Sequence, residues 1–143
     1  MTSSPALSDI FWQQWQGIRQ LTYDYLDSLN ADQLALTLPF PTARPIGYQF
    51  WCMTGAHESY LNELAAGEWQ GFRCSLNALA EVTGPVMKAH MQRADKRMAQ
   101  LLQTLSLADR LNNGKYCYQV VQRMVEHEMH HHGQLIIERG INI

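Results

Sequence analysis

The chain has 143 residues, and its 11 Lys and Arg against 13 Asp and Glu give a net charge of −2 at pH 7. That length suits one domain over residues 1–143, and basic residues scattered singly (Arg19, Arg44, Arg73, Lys88, Arg93) leave no cationic footprint for DNA or RNA. No window approaches the ~20 apolar residues of a membrane-crossing helix, so a membrane partner is not expected either.

The predicted elements follow in chain order. A first helix is expected from Ser8 to Leu29, with Ser8 as its N-cap and Asp9 beside its positive end. Its inward stripe reads Phe11, Trp15, Ile18, Thr22, Tyr25 and Leu29. Pro39 and Pro41 break the connection that follows, which holds a short turn at residues 31–34. The second helix starts near Pro45 and stops by Gly67, with Ile46, Phe50, Met53, His57, Leu61 and Leu64 facing inward. A long link from Glu68 to Val82 leads to Thr83-Gly84-Pro85, which opens a third helix with the stripe Met87, Met91, Ala94, Met98, Leu101 and Leu105. Asn112-Asn113-Gly114 marks a turn, and a fourth helix runs from Lys115 to Arg139 with Gly140 just beyond its end. No strand alternation competes, so the fold class is all-α, a four-helix bundle with a long crossover connection and short extra turns.

The chemistry concentrates in the last helix. His127 and His131 stand one turn apart, where two imidazoles converge on one cation, and they continue the stripe of Cys117, Val120, Val121, Met124 and Leu135. His57 lies at similar depth on the second helix, about twelve residues from its start, as His127 does on its own. Three inward histidines on two helices suggest a divalent metal site, and three protein nitrogens leave an open position of the catalytic kind. Spacing does not name the ion; zinc, nickel and iron all suit histidine. His130 and His132 fall off the central direction and read as rim residues, with His130 one turn from Gln134; His90 reads as a boundary residue. Glu58, Glu128 and Gln134 are weak catalytic candidates, since each carboxylate follows a histidine by one residue and points about 100° away from it.

His127-Glu128-Met129-His130-His131 also spells H-E-x-x-H, the zinc-protease helix. The protease reading fails, because only twelve residues follow His131 and, beyond the adjacent His132, none is His, Asp or Cys. The three cysteines, Cys52, Cys74 and Cys117, are odd in number and lack C-x-x-C spacing, so they read as reduced thiols. The first five residues lack the basic and apolar regions of a secretory signal, and a cytoplasmic location is the expectation.

Nearly the whole chain resembles the DinB/YfiT-like superfamily of metal-dependent enzymes. The likeness runs through Trp12-Gln13-Gln14-Trp15 to Leu29, then through Arg44-Pro45-Ile46 into the His57 helix. It is most specific at His127-x-x-x-His131-His132-Gly133-Gln134-Leu135. The resemblance implies a bundle whose lengthwise crossover joins the second and third helices. It also implies a metal triad falling on His57, His127 and His131, a small-molecule substrate and a homodimer. Characterised relatives include thiol-dependent transferases and isomerases that use a low-molecular-weight thiol cosubstrate, and metal-dependent hydrolases. A non-catalytic bundle that binds a metal or small ligand is the competing expectation.

Overall fold

In the computed structural model, which describes residues 6–142 and the side chains through Glu138, five α-helices carry the chain. They are α1 (Leu7–Asp27), α2 (Ala31–Leu34), α3 (Ile46–Ala66), α4 (Gly84–Thr104) and α5 (Cys117–Asn142). Local chemistry explains three of the boundaries. Asn30 and Gln33 form a reciprocal capping box on α2. The Thr83 side chain accepts a bond from the Val86 N–H, with Pro85 in the first turn of α4. Gly67, at φ +83°, takes the left-handed conformation that ends α3.

Two expected boundaries differ. α1 begins after Ala6 with no side-chain cap, so Ser8 lies inside the helix. α5 continues through Gly140 to Asn142, so Gly140 is not its stop.

Side-chain pairs fix the directions. Asp27 meets Lys88 while Trp15 meets Asp95, so α1 and α4 are antiparallel. Glu63 meets Lys115 while Gln49 meets Glu138, so α3 and α5 are antiparallel. His57 lies against Met98 and Asn62 against Arg97, both on the face between α3 and α4. Arg19 meets Glu128 while Tyr25 meets His132, so α1 and α5 run parallel; α4 and α3 both oppose that direction and therefore run parallel to each other. The connection from Gly67 to Thr83 therefore spans the bundle lengthwise, as the resemblance implies. It packs on α3 at Gly55, where an added Cβ would come within 2.3 Å of the Phe72 ring.

The apolar core is divided in two. One cluster gathers Trp15, Leu61, Met98, Val121 and Met124; the other gathers Leu26, Phe50, Met53, Met91 and Leu135. Between them, on all four long helices, lie Arg19, Thr22, His57, Asp95, Glu128 and His132. The expected α3 stripe is buried at every position. The α1 face is rotated: Trp15, Arg19, Thr22, Tyr23 and Leu26 are its buried residues, so a charged side chain enters the core. Of the α4 stripe, Leu102 takes the fully buried place, with Leu101 and Leu105 at its edge.

Candidate metal centre

The polar layer accounts for His57. Its ring is 2% exposed, and Nδ1 lies 2.6 Å from Arg19 Nη2. A guanidinium has only donors, so Nδ1 must accept. The ring proton then sits on Nε2, which faces the Met98 thioether sulfur at 3.4 Å. Neither nitrogen keeps a free lone pair. Burial, followed by the positive charges of Arg19 and Arg97, holds the ring well below the usual histidine range, so it stays neutral.

Arg19 is the hub of this layer. It donates to Asp95 at 3.0 Å and to Glu128 at 2.8 Å. Burial opposes its charge, but the carboxylates of Glu128 and Asp95 outweigh that and raise its pKa. Asp95 also accepts from Trp15 Nε1 at 2.8 Å and from the Tyr23 hydroxyl. The Thr22 hydroxyl donates to Glu128 and accepts from His132 Nε2 at 2.6 Å.

A different set meets at the α3–α5 seam. His127 Nε2 and His131 Nε2 are 3.2 Å apart, and Cys52 Sγ lies 3.7 Å from His127 Nε2. Cys52, His127 and His131 are the one group of His, Cys, Asp or Glu among the described residues whose donor atoms all lie within 4.8 Å of one another. The structure thus brings His127 and His131 together, as spacing suggests, but sets Cys52 and not His57 beside them. Five residues on a helix turn about 140°, so α3 sends Cys52 to the seam and His57 to the polar layer.

Outer partners prepare His131. Gln49 Nε2 donates to Glu138 Oε1 at 3.1 Å, which turns the Gln49 carbonyl oxygen toward His131 Nδ1. Nδ1–H donates there, leaving the Nε2 lone pair aimed at the cluster. Burial, then the neighbouring His127, lowers the His131 pKa to about 4, so the ring is a neutral donor near pH 7. Burial lowers His127 too, and it raises the Cys52 thiol.

Two of the three donor separations match those around an ion, and the third lies within 4.8 Å. Ligands at ~2.0–2.1 Å (N) and ~2.3 Å (S) from a tetrahedral centre stand about 3.3 Å (N to N) and about 3.6 Å (N to S) apart. The observed 3.2 and 3.7 Å are close to both. The cluster opens onto a cleft of about 510 Å³ lined by Leu38, Phe40, Arg44, Tyr48, Gln134 and Glu138 among others. A second cleft, of about 610 Å³ beside Tyr60, Trp69 and Lys115, contains none of the three.

The remaining candidates are placed as follows. Glu128 is buried on Arg19 and Thr22, away from the cleft. Glu58 accepts from the Ser75 N–H at the short 3₁₀ turn Ser75–Ala78. Gln134 lines the cleft with its Oε1 buried and unpartnered among the described residues. His130 is an exposed rim residue of the cleft. His132, expected at the rim, is instead buried on Thr22, because its side of α5 meets α1. His90 binds the Ser75 hydroxyl at 2.6 Å and pins the crossover to α4.

Comparison with solved structures gives the class. The chain has a DinB-like fold: it superposes on a DinB-like protein, YjoA, from Bacillus subtilis with a TM-score of 0.68, at 15% identity, over 90% of this chain and 88% of that one. No family model and no curated protein sequence matches the chain.

Proposed function

We propose that the protein is a metal-dependent enzyme that holds a divalent ion on Cys52, His127 and His131 and acts on a small molecule in the adjoining cleft. The observation that carries this is the spacing of the three donor atoms at the floor of an open cleft. One thiolate and two imidazoles suit zinc first, with nickel or iron as alternatives. Such an ion would polarise a substrate carbonyl or favour the anion of a thiol or water near neutral pH. The reaction class proposed is thiol-dependent S-transfer or hydrolysis, with a low-molecular-weight thiol as cosubstrate in the first case.

The chain's own residues have separate tasks. Glu138 and Gln49 set the tautomer of His131. Cys52, protonated while it is free in its half-buried place, gives up a proton when it becomes a ligand, so metal uptake acidifies the medium. Three free thiols support a reducing, cytoplasmic setting. Exposed Met129, Ile136 and Ile137 form an apolar stripe on α5 that supports a homodimer.

One observation favours a non-catalytic binding protein as the second reading. Glu58 and Glu128 are both engaged away from the cleft, which leaves Glu138 as its carboxylate. Elemental analysis tests the shared premise. Wild type and His57→Ala are expected to retain stoichiometric metal, and Cys52→Ala and His131→Ala to lose it. Metal retained by Cys52→Ala would overturn the site. Turnover of thiols with electrophiles, or of esters and amides, by the loaded protein separates the enzyme from the binding module.

A further inference from the structure

Two buried oxygens on α5 border the cleft over Cys52, His127 and His131 with no donor to accept from. Glu138, 6% exposed, and half-buried Gln134 both line that cleft, and Glu138 Oε2 and Gln134 Oε1 are buried without a partner among the described residues. An orphaned buried acceptor costs about 1–3 kcal/mol unless a donor reaches it. The other Glu138 oxygen is already engaged, by Gln49 Nε2 at 3.1 Å. No Lys, Arg or His of the described residues forms an ion pair with this carboxylate. A buried carboxylate without a countercharge is costly as well, and burial raises the Glu138 pKa while the Gln49 bond opposes the rise. What the two residues lack is a donor, and at Glu138 a positive charge too.

The two acceptors stand four residues apart on one helix, so their Cβ atoms share a face at a separation of about 5–6 Å. One nitrogen can bridge such a pair if it carries two or more N–H groups, each reaching its acceptor at about 2.7–3.2 Å. A primary ammonium meets both needs. At ~1.5 Å per residue, Gln134 and Glu138 lie about 4.5 and 10.5 Å along α5 from His131, so a nitrogen between them sits about 7–8 Å along the helix from the donor cluster. Leu38 and Phe40 line the same cleft and offer an apolar side for a spacer of that length. Arg44 lines it too, but Arg44 is exposed, with its guanidinium carbon 4.6 Å from the Tyr48 ring centroid, and solvent screens its repulsion. We infer that the ligand of the cleft carries a primary ammonium group, held by Glu138 and Gln134, on a short apolar arm whose other end reaches toward Cys52, His127 and His131. The inference rests on the metal reading of those three residues and adds the substrate class to it.

The test uses full-length protein loaded with cobalt(II), whose visible absorption reports a thiolate entering its coordination sphere. The probes are 4-aminobutanethiol, 5-aminopentanethiol and 6-aminohexanethiol, each titrated beside its trimethylammonium analogue. Each pair shares the metal-binding thiol, the arm and the positive charge, and differs only at the nitrogen, where methyl groups replace the N–H donors. The best primary amine is expected to bind about tenfold tighter than its trimethylated partner, the effect of charge-assisted hydrogen bonds in a half-open cleft. In Glu138→Gln, which can still accept from Gln49, that preference falls to about twofold or less, and in Gln134→Met to about threefold. Amines and trimethylated thiols binding alike at every length would overturn this inference alone, because Glu138 and Gln134 then satisfy each other through a shared proton or a rotated amide. A preference kept in Glu138→Gln would overturn it too, by assigning the selectivity to the bulk of the methyl groups. Failure of every probe to perturb the cobalt spectrum would overturn the open-position reading, and this inference with it.

Discussion

His57 and His131 are both buried, both neutral and both on helix faces that a hydropathy pattern turns inward, yet one is spent and the other is available. The difference is the partner of Nδ1. At His57 that partner is a guanidinium, which can only donate, so the ring must give up its Nδ1 lone pair and turn its N–H toward a thioether. At His131 the partner is an amide oxygen, which can only accept, so Nδ1 keeps the proton and Nε2 keeps its lone pair. A polar layer that serves the core and a donor set that serves a cleft thus arise from the same residue type. Burial and helical spacing do not separate them; the acceptor or donor character of the neighbour does.

The sharpest way to break this comparison is to remove the hub of the polar layer. Arg19→Met keeps most of the volume but leaves the Glu128 carboxylate, 1% exposed, with the Thr22 hydroxyl alone. Breaking one side of a buried pair typically costs about 3–5 kcal/mol. Arg19→Met should therefore lower urea-unfolding stability by about that much, and adding Glu128→Gln should recover part of it. Cys52→Ala in the metal-free protein should cost under about 1.5 kcal/mol, since a half-buried thiol is lost without stranding a charge. Equal costs for Arg19→Met and Cys52→Ala would mean that the layer and the cleft are not distinct in their roles.

A smaller effect should separate the regions in the opposite direction. Gln49→Leu removes the oxygen that fixes the His131 tautomer while leaving all three donors in place. Outer partners of this kind are worth about 10–100-fold in metal affinity. Competition against a chromophoric chelator should show that loss for Gln49→Leu and none for Thr22→Val, which disturbs His132 and Glu128 in the layer. Equal affinities of Gln49→Leu and wild type would remove the relay from the site.

How far the sequence discloses these regions follows from the range of the interactions. The α3 stripe from Ile46 to Leu64, the stop at Gly67 and the cap at Thr83 are encoded within one or two turns, and each appears where the pattern puts it. So does the convergence of His127 and His131, four residues apart on one helix. Arg19 is not legible, because its burial depends on Glu128, 109 residues away, and a lone Arg in an amphipathic pattern resembles a solvated residue. Cys52 escapes for the same reason. A donor set assembled across two helices has no local spacing, and Cys52 and His127 are 75 residues apart. One signal was available: Cys52 precedes Met53 on the flank of the stripe, on the side where Gln49 also lies, one turn earlier. His57 sits on the centre of that stripe, and the centre of a stripe meets the core.

The pH dependence of stability gives the smallest and most specific expectation. His57 titrates well below the histidine value of 6.5 when folded, chiefly through burial and then through Arg19 and Arg97. Unfolded, it takes up its proton near pH 6.5. Above that pH neither state holds the proton, and its contribution to folding is fully present. As pH falls below about 6.5 the unfolded chain binds a proton that the native ring refuses, so stability declines, by at most about 1.4 kcal/mol per pH unit for this one group. His131 acts in the same sense, with a folded value of about 4, so wild type alone cannot apportion the slope. His57→Asn can, since its side-chain oxygen can still accept from Arg19 but does not titrate. Urea unfolding between about pH 8 and pH 5 should show a shallower decline for His57→Asn than for wild type, by up to one proton. Parallel curves would mean that His57 is not held neutral by the layer, and the contrast with His131 would lose its physical basis.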